Sequence, residues 1–276
     1  MQLPPFGIWT SAHALGEENL AAAAVLAERL GFVFWLGGSP HLPSLRPILE
    51  ATDRLVVATG IVNVWQYEPA DLAAEYDELA RAFPGRVLVG IGIGHPEATS
   101  DYAHPLRTMR GFLDGLDGAA TPLPAGDRCL AALAPRMLDL ARDRTRGSHT
   151  YFVPVAHTRA AREQLGPDGL LAPELACVLD EDSDRARAVA RRYAALYLGL
   201  RNYTSNLLRF GFTESDLADG GSDRLIDAIV PHGRAQDIAA AARAHLDAGA
   251  NHVCLQTVGI DGVPEAEWSA LAAALA

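Results

Sequence analysis

Three side chains that could move or hold protons stand where apolar runs give way to loops: His13, Asn63 and His95. An imidazole titrates near neutrality and serves as general acid or base, and an amide orients a substrate by hydrogen bonding. Trp65 stands beside Asn63 and could wall a pocket or simply cover a rim. Further along, Tyr203 and Asn206 lie in RNYTSNLLRFGF, where they could face a substrate or be ordinary helix residues. His95 could equally cap a helix, and His13 could be an exposed loop residue. None of these groups belongs to a self-sufficient catalytic motif. GGSPH lacks the GxSxG spacing, HExxH and CxxC do not occur, and GIGIGHPE reads GxGxG without a downstream ribose-binding acid. The nine histidines are scattered, so no metal site is expected. All 23 basic residues are arginine, which removes Schiff-base lysine chemistry and a P-loop lysine. The chemistry that fits is that of a bound cofactor, with the protein positioning it and moving protons.

The elements that must position these groups repeat. Eight short apolar runs are FGIWT (6–10), FVFWLGG (32–38), RLVVATGIV (54–62), RVLVGIGIG (86–94), CLAALA (129–134), TYFVPV (150–155), LLAPELACVL (170–179) and NHVCLQTVG (251–259). Alanine-rich helical segments separate them; in one, Leu72, Tyr76, Leu79 and Phe83 form a single stripe. Eightfold alternation of strand and helix predicts an α/β fold, a single-domain (β/α)8 TIM barrel over 1–276, with an open doubly wound sheet as the alternative. Residues 181–230 are too long for one connection and read as a helical insertion between strands 7 and 8, at the mouth where substrate pockets form. Side chains alternate along a strand. Val87, Val89, Ile91 and Ile93 therefore share one face of the fourth run, and Leu88, Gly90, Gly92 and Gly94 the other. With Gly37, Gly38, Ala58, Gly60, Ala131 and Ala132, four consecutive strands end in small residues. This predicts a backbone-walled slot for a flat ligand; the alternative is easier barrel packing.

With 49% hydrophobic residues and a net charge of −11, the chain suits a globular core and no nucleic-acid partner. Cys129, Cys177 and Cys254 fall in apolar runs and read as free buried thiols. No apolar stretch reaches about 18 residues and no charged-then-apolar leader opens the chain. A cytoplasmic protein without membrane contact is expected.

TGIVNVW, VLVGIGIGH, LAALAPRMLDLA and AGANHVCLQTVG, together with the insertion, resemble the bacterial luciferase-like superfamily, and more closely its coenzyme F420-dependent oxidoreductase branch. The resemblance implies a barrel holding a deazaflavin at its C-terminal mouth, and a homodimer. It implies hydride transfer between deazaflavin C5 and a small organic substrate. An FMN-dependent monooxygenase or a non-catalytic flavin carrier are the alternatives. It also implies a cis bond at Gly60–Ile61, with Gly60 behind the ring. Ile93, Gly94 and His95 are then expected against the cofactor, with Ala131, Ala132 and Leu133 after the fifth strand. Val153 and Pro154 would lie near its phosphate, with His157 at the next helix start. One departure is Gly38-Ser39, where several relatives carry an acid–His pair. Another is the missing lysine of sugar-phosphate-oxidising relatives, which disfavours that substrate class.

Overall fold

A computed structural model describes residues 2–98 and 102–276. Ten strand segments, all in parallel pairing, form its sheet: β1 (Phe6–Ser11), β2 (Val33–Gly37), β3 (Val57–Gly60), β4 (Val62–Asn63), β5 (Val87–Gly92), β6 (Arg128–Leu130), β7 (Gly147–Ser148), β8 (Leu170–Leu171), β9 (Glu174–Cys177) and β10 (Val253–Thr257). Pairing runs β8-β7-β6-β5-β3-β2-β1-β10-β9. Because β8 and β9 are two halves of one run, separated by Ala172 and Pro173, the sheet returns on itself as a TIM barrel. That closure excludes the open sheet.

Two of the eight runs are interrupted for identifiable reasons. Pro173 has no N–H to donate and divides the seventh. The third divides at a cis Gly60–Ile61 bond, after which Val62 and Asn63 resume pairing with Ile91 and Gly92. The sixth run corrects the sequence expectation. The strand is Gly147–Ser148, not 150–155, and its backbone pairing continues only to the Thr150 carbonyl, which accepts from Glu174. Phe152 then takes a φ of 55°, Pro154 supplies the cap, and the chain enters the helix Val155–Leu165. Hydrophobicity placed this strand too late, because its paired residues are the polar GSH.

The expected faces are present. Val57, Val87, Val89 and Ile91 join the outer core with helix residues such as Leu72 and Met109, whereas Trp35, Ala58, Leu88, Cys129 and Cys254 pack inside the barrel. The helix Pro69–Ala82 begins with proline at its first position, where a missing N–H costs nothing, and it buries Leu72, Ala73, Tyr76 and Leu79. Each leucine fully buried in this way contributes about 1.5–3 kcal/mol. Between β9 and β10 the chain forms the helices Ser183–Leu198, Arg201–Arg209, Glu214–Leu217 and Asp223–Ile229, which cover the 181–230 segment. Among the described residues, no helix is long and apolar enough to cross a membrane. All three cysteines are free and buried.

Candidate active site

At the C-terminal ends of the central strands lies a cavity of about 340 Å³. Its floor starts at Ile61, whose side chain reaches across Gly92: a Cβ on Gly92 would lie 2.6 Å from Ile61 Cδ1. Ile93, Gly94 and His95 continue one wall, and Ala131, Ala132 and Leu133 the next. Gly94 has a φ of 65° and runs close over Asn63, 3.1 Å from its Nδ2 to a virtual Cβ, so this turn favours glycine on two counts.

The far wall belongs to the helix Arg201–Arg209. Asn202, Asn206 and Arg209 are spaced so that they share a stripe, and Tyr203 stands beside it. Asn206 is buried, and neither its Nδ2 nor its Oδ1 has a partner among the described residues. An unpaired buried polar group costs about 1–3 kcal/mol. His95 Nδ1 lies 3.0 Å from Asn202 Oδ1, and since an amide oxygen only accepts, Nδ1 carries the hydrogen. Nε2 is then the basic nitrogen. Burial pushes the His95 pKa down, against the smaller upward effects of Asn202 and Glu97, so the ring is neutral at pH 7. Tyr203 packs on it with ring centroids 5.3 Å apart.

Ten of the residues singled out in the sequence thus meet at one cavity: Ile61, Gly92, the two wall segments 93–95 and 131–133, and Tyr203 with Asn206. The others do not line it. Gly37 and Gly60 leave space that the Trp9 indole takes: a Cβ would lie 2.2 Å from Trp9 Cζ2 at Gly37 and 2.4 Å from Trp9 Nε1 at Gly60. The slot expected behind those glycines is therefore filled by protein. Gly38 sits exposed in a turn with a φ of 83°. His13 is exposed on the one-turn helix Ala12–Leu15 and is not among the residues that line the cavity. Asn63 accepts from the Trp65 amide at 3.2 Å, and Trp65 Nε1 donates to the Ile93 carbonyl at 2.7 Å; both shape the wall from behind. Val153 and Pro154 are buried away from the cavity. His157 is buried too, donating Nε2–H to the Leu133 carbonyl at 3.0 Å, so it supports the wall from behind.

Sequence reading missed His149, Tyr151, Tyr102, Met137, Asn202 and Arg209, all of which line the cavity. The i, i+4 pair Asn202/Asn206 was a legible signal for one face of a helix. His149 was not legible, because the sixth run was placed at 150–155, after it, and Tyr151 fell inside that run as an ordinary strand residue.

A luciferase-like monooxygenase family profile matches residues 5–262. Two F420-dependent glucose-6-phosphate dehydrogenases are similar in sequence. That of Microbacterium testaceum is 32% identical over 103 residues, 32% of this chain and 31% of its own length. That of Nakamurella multipartita is 34% identical over 110 residues, 34% of this chain and 32% of its own. The chain thus matches about a third of the length of these curated relatives. Among solved structures, an F420-dependent secondary alcohol dehydrogenase in complex with an F420-acetone adduct superposes with a TM-score of 0.77 at 16% identity, covering 100% of both chains. A type II Baeyer-Villiger monooxygenase in complex with FMN, the oxygenating constituent of 3,6-diketocamphane monooxygenase from Pseudomonas putida, gives 0.66 at 15% identity, with 97% and 96% covered. These likenesses establish the fold.

Proposed function

The chain belongs to the luciferase-like monooxygenase family, and on that premise we propose that it is an F420-dependent oxidoreductase acting on a small organic substrate. The F420-dependent names of its sequence relatives support the cofactor. The observation that carries the reading to this chain is the buried Asn206 amide, unpartnered and set in a cavity whose opposite floor is Ile61 and Ala131. An apolar floor suits the face of a planar heteroaromatic ring. An amide with both its donor and its acceptor free suits a polar atom pair on a bound molecule. These residues fit a deazaflavin, which when bound supplies hydride chemistry at C5.

The chain's own work is to position and to manage protons. Ile61, Gly92 and Ala131 set a flat surface and keep water from it. His95 is held by Asn202 with Nε2 as its basic nitrogen, so it takes a proton from a substrate hydroxyl during oxidation. Trp65 and His157 fix the Ile93 and Leu133 carbonyls, and with them the two wall segments. The substrate named for the sequence relatives is not carried over. The match covers about a third of their length, no lysine exists to hold a phosphate, and Arg209 is the one guanidinium among the described cavity-lining residues.

The test is anaerobic oxidation of reduced F420 against a panel of ketones, enones and imines, with alcohols for the reverse direction. Turnover with any of them that depends on the protein supports the proposal. Binding of F420 without turnover would move the protein to the carrier reading.

A further inference from the structure

Beneath the Tyr151 edge of the cavity lies a polar cluster inside an otherwise apolar wall. Glu174, on β9, is 2% exposed, and its Oε2 accepts from the Phe152 amide at 3.3 Å. Its Oε1 lies 3.2 Å from the Tyr193 hydroxyl. Tyr193 lies 3.0 Å from the Tyr151 hydroxyl, which is also 2.8 Å from Tyr197 Oη and 2.8 Å from Gln256 Oε1. Tyr151 is the member that lines the cavity, and Tyr197 is partly exposed.

These contacts can be counted in hydrogens. Tyr193 Oη also approaches Gln256 Oε1 at 3.4 Å, the longest of five contacts; the four shorter pairs, Glu174–Tyr193, Tyr193–Tyr151, Tyr151–Tyr197 and Tyr151–Gln256, each take one hydrogen when all four are made. Three hydroxyls supply three. The amide oxygen of Gln256 supplies none. A proton on Glu174 completes the set: Glu174 donates to Tyr193, Tyr193 to Tyr151, and Tyr151 to Gln256, while Tyr197 donates to the second lone pair of Tyr151. A carboxylate would leave one pair of oxygens facing each other with no hydrogen between them, unless the Gln256 amide were turned over to donate.

We propose that Glu174 is a neutral acid at the end of a hydrogen-bonded line through Tyr193 to Tyr151, and that this line delivers its proton to the cavity. The role assigned to the line in turnover rests on the oxidoreductase reading above. During reduction, hydride adds an electron pair to a substrate carbon and the neighbouring heteroatom gains negative charge. Tyr151 gives its proton to that atom and takes one from Tyr193. Tyr193 takes one from Glu174, which is left as the carboxylate and is recharged through Tyr197 from solvent. Glu174 and Tyr193 thus act through Tyr151, as positioning and supply groups. The surroundings support the neutral form. The titratable groups facing Glu174 are Tyr151, Tyr193, Tyr197, Tyr203, Cys177 and Cys254, and among the described residues no positive charge offsets its burial. Burial raises its pKa to about 8.

The first test needs no cofactor. Infrared titration of the ligand-free protein should show a protonated carboxylic acid C=O band at pH 7 that disappears near pH 8 and is missing from Glu174→Gln. Tyr193→Phe, which removes one hydroxyl, should keep the band but shift its frequency and midpoint. No band at pH 7 overturns the proposal, and so does a band indifferent to Tyr193. These outcomes stand whether or not F420 binds, so the cofactor reading fails separately. With reduced F420 and a turned-over substrate, Glu174→Gln and Tyr151→Phe should each lose at least tenfold in kcat, with cofactor Kd within threefold, and the double variant should lose no more. The alkaline limb should vanish in Glu174→Gln. Full turnover in both single variants overturns the relay.

Discussion

Burial holds the His95 ring neutral against the smaller opposite effect of its hydrogen bond to Asn202, which fixes the tautomer that leaves Nε2 as the basic nitrogen, and both effects are measurable. Oxidation of an alcohol needs that neutral form. Because the pKa is lowered from 6.5, the acid limb of the oxidation rate should fall below the ordinary imidazole range, with a flat rate at neutral pH. His95→Gln should abolish the limb and cost about a hundredfold in kcat or more, with little change in cofactor Kd. Asn206 makes a different prediction. Replacing a buried amide that has no partner by an apolar group of similar size removes a cost of about 1–3 kcal/mol. Asn206→Leu should therefore raise the ligand-free Tm by about 2–4 °C per kcal/mol recovered, while weakening ligand binding at least tenfold. A lower Tm with unchanged affinity would show that the amide is structural.

Among the elements, Gly60 shows how a correct choice of residue can carry a wrong neighbour. A glycine in a β-branched strand signals a close approach, and the approach is real, but it is made by Trp9 from β1. Nothing local to residues 54–62 could reveal a tryptophan about fifty positions earlier. Gly60→Val would press a branched side chain into that indole, an overpacking cost of about 1–3 kcal/mol. Thermal unfolding should shift downward, and pairing it with Trp9→Phe should recover part of the loss if the clash is the cause. The uninterrupted runs β1, β2, β5 and β10 were legible because their β-branched and aromatic residues alternate in exposure or fill an apolar stretch. Gly147–Ser148 was not, because it is held by pairing with Leu130, Leu170 and Leu171 and not by its own hydrophobicity. Glu174 lay hidden inside an apolar run for the same reason: its partners come from the Ser183–Leu198 helix and from Tyr151 and Phe152.

For the molecule as a whole, the barrel encloses ionisable groups in unusual states, and these set its response to pH. Burial lowers His149, His157, His245 and His252 to about 4, whereas Glu174 is raised to about 8. On unfolding near pH 5, each histidine takes up close to one proton and Glu174 releases close to one. These five groups together bind roughly three more protons in the unfolded state. Stability should fall as pH drops from about 6.5 towards 4, with the histidine contribution fully present only above 6.5. Glu174 works in the opposite sense, and its contribution is lost as pH rises from about 4.5 to 8. Glu174→Gln should therefore flatten the Tm–pH profile above about 6.5 and steepen it between about 4.5 and 6.5, where Glu174 offsets part of the histidine effect.

Eightfold strand–helix alternation and the small residues ending the fourth and fifth runs placed the cavity in the sequence, but the cofactor it takes is a matter of affinity. Parallel fluorescence titrations of the purified protein with F420 and with FMN measure it directly. The expected result is F420 binding at least tenfold tighter, about 1.4 kcal/mol, with the difference reduced in Asn206→Leu. Equal affinities, or tighter binding of FMN, would contradict the F420 assignment and place the protein with the flavin-dependent monooxygenases of its family.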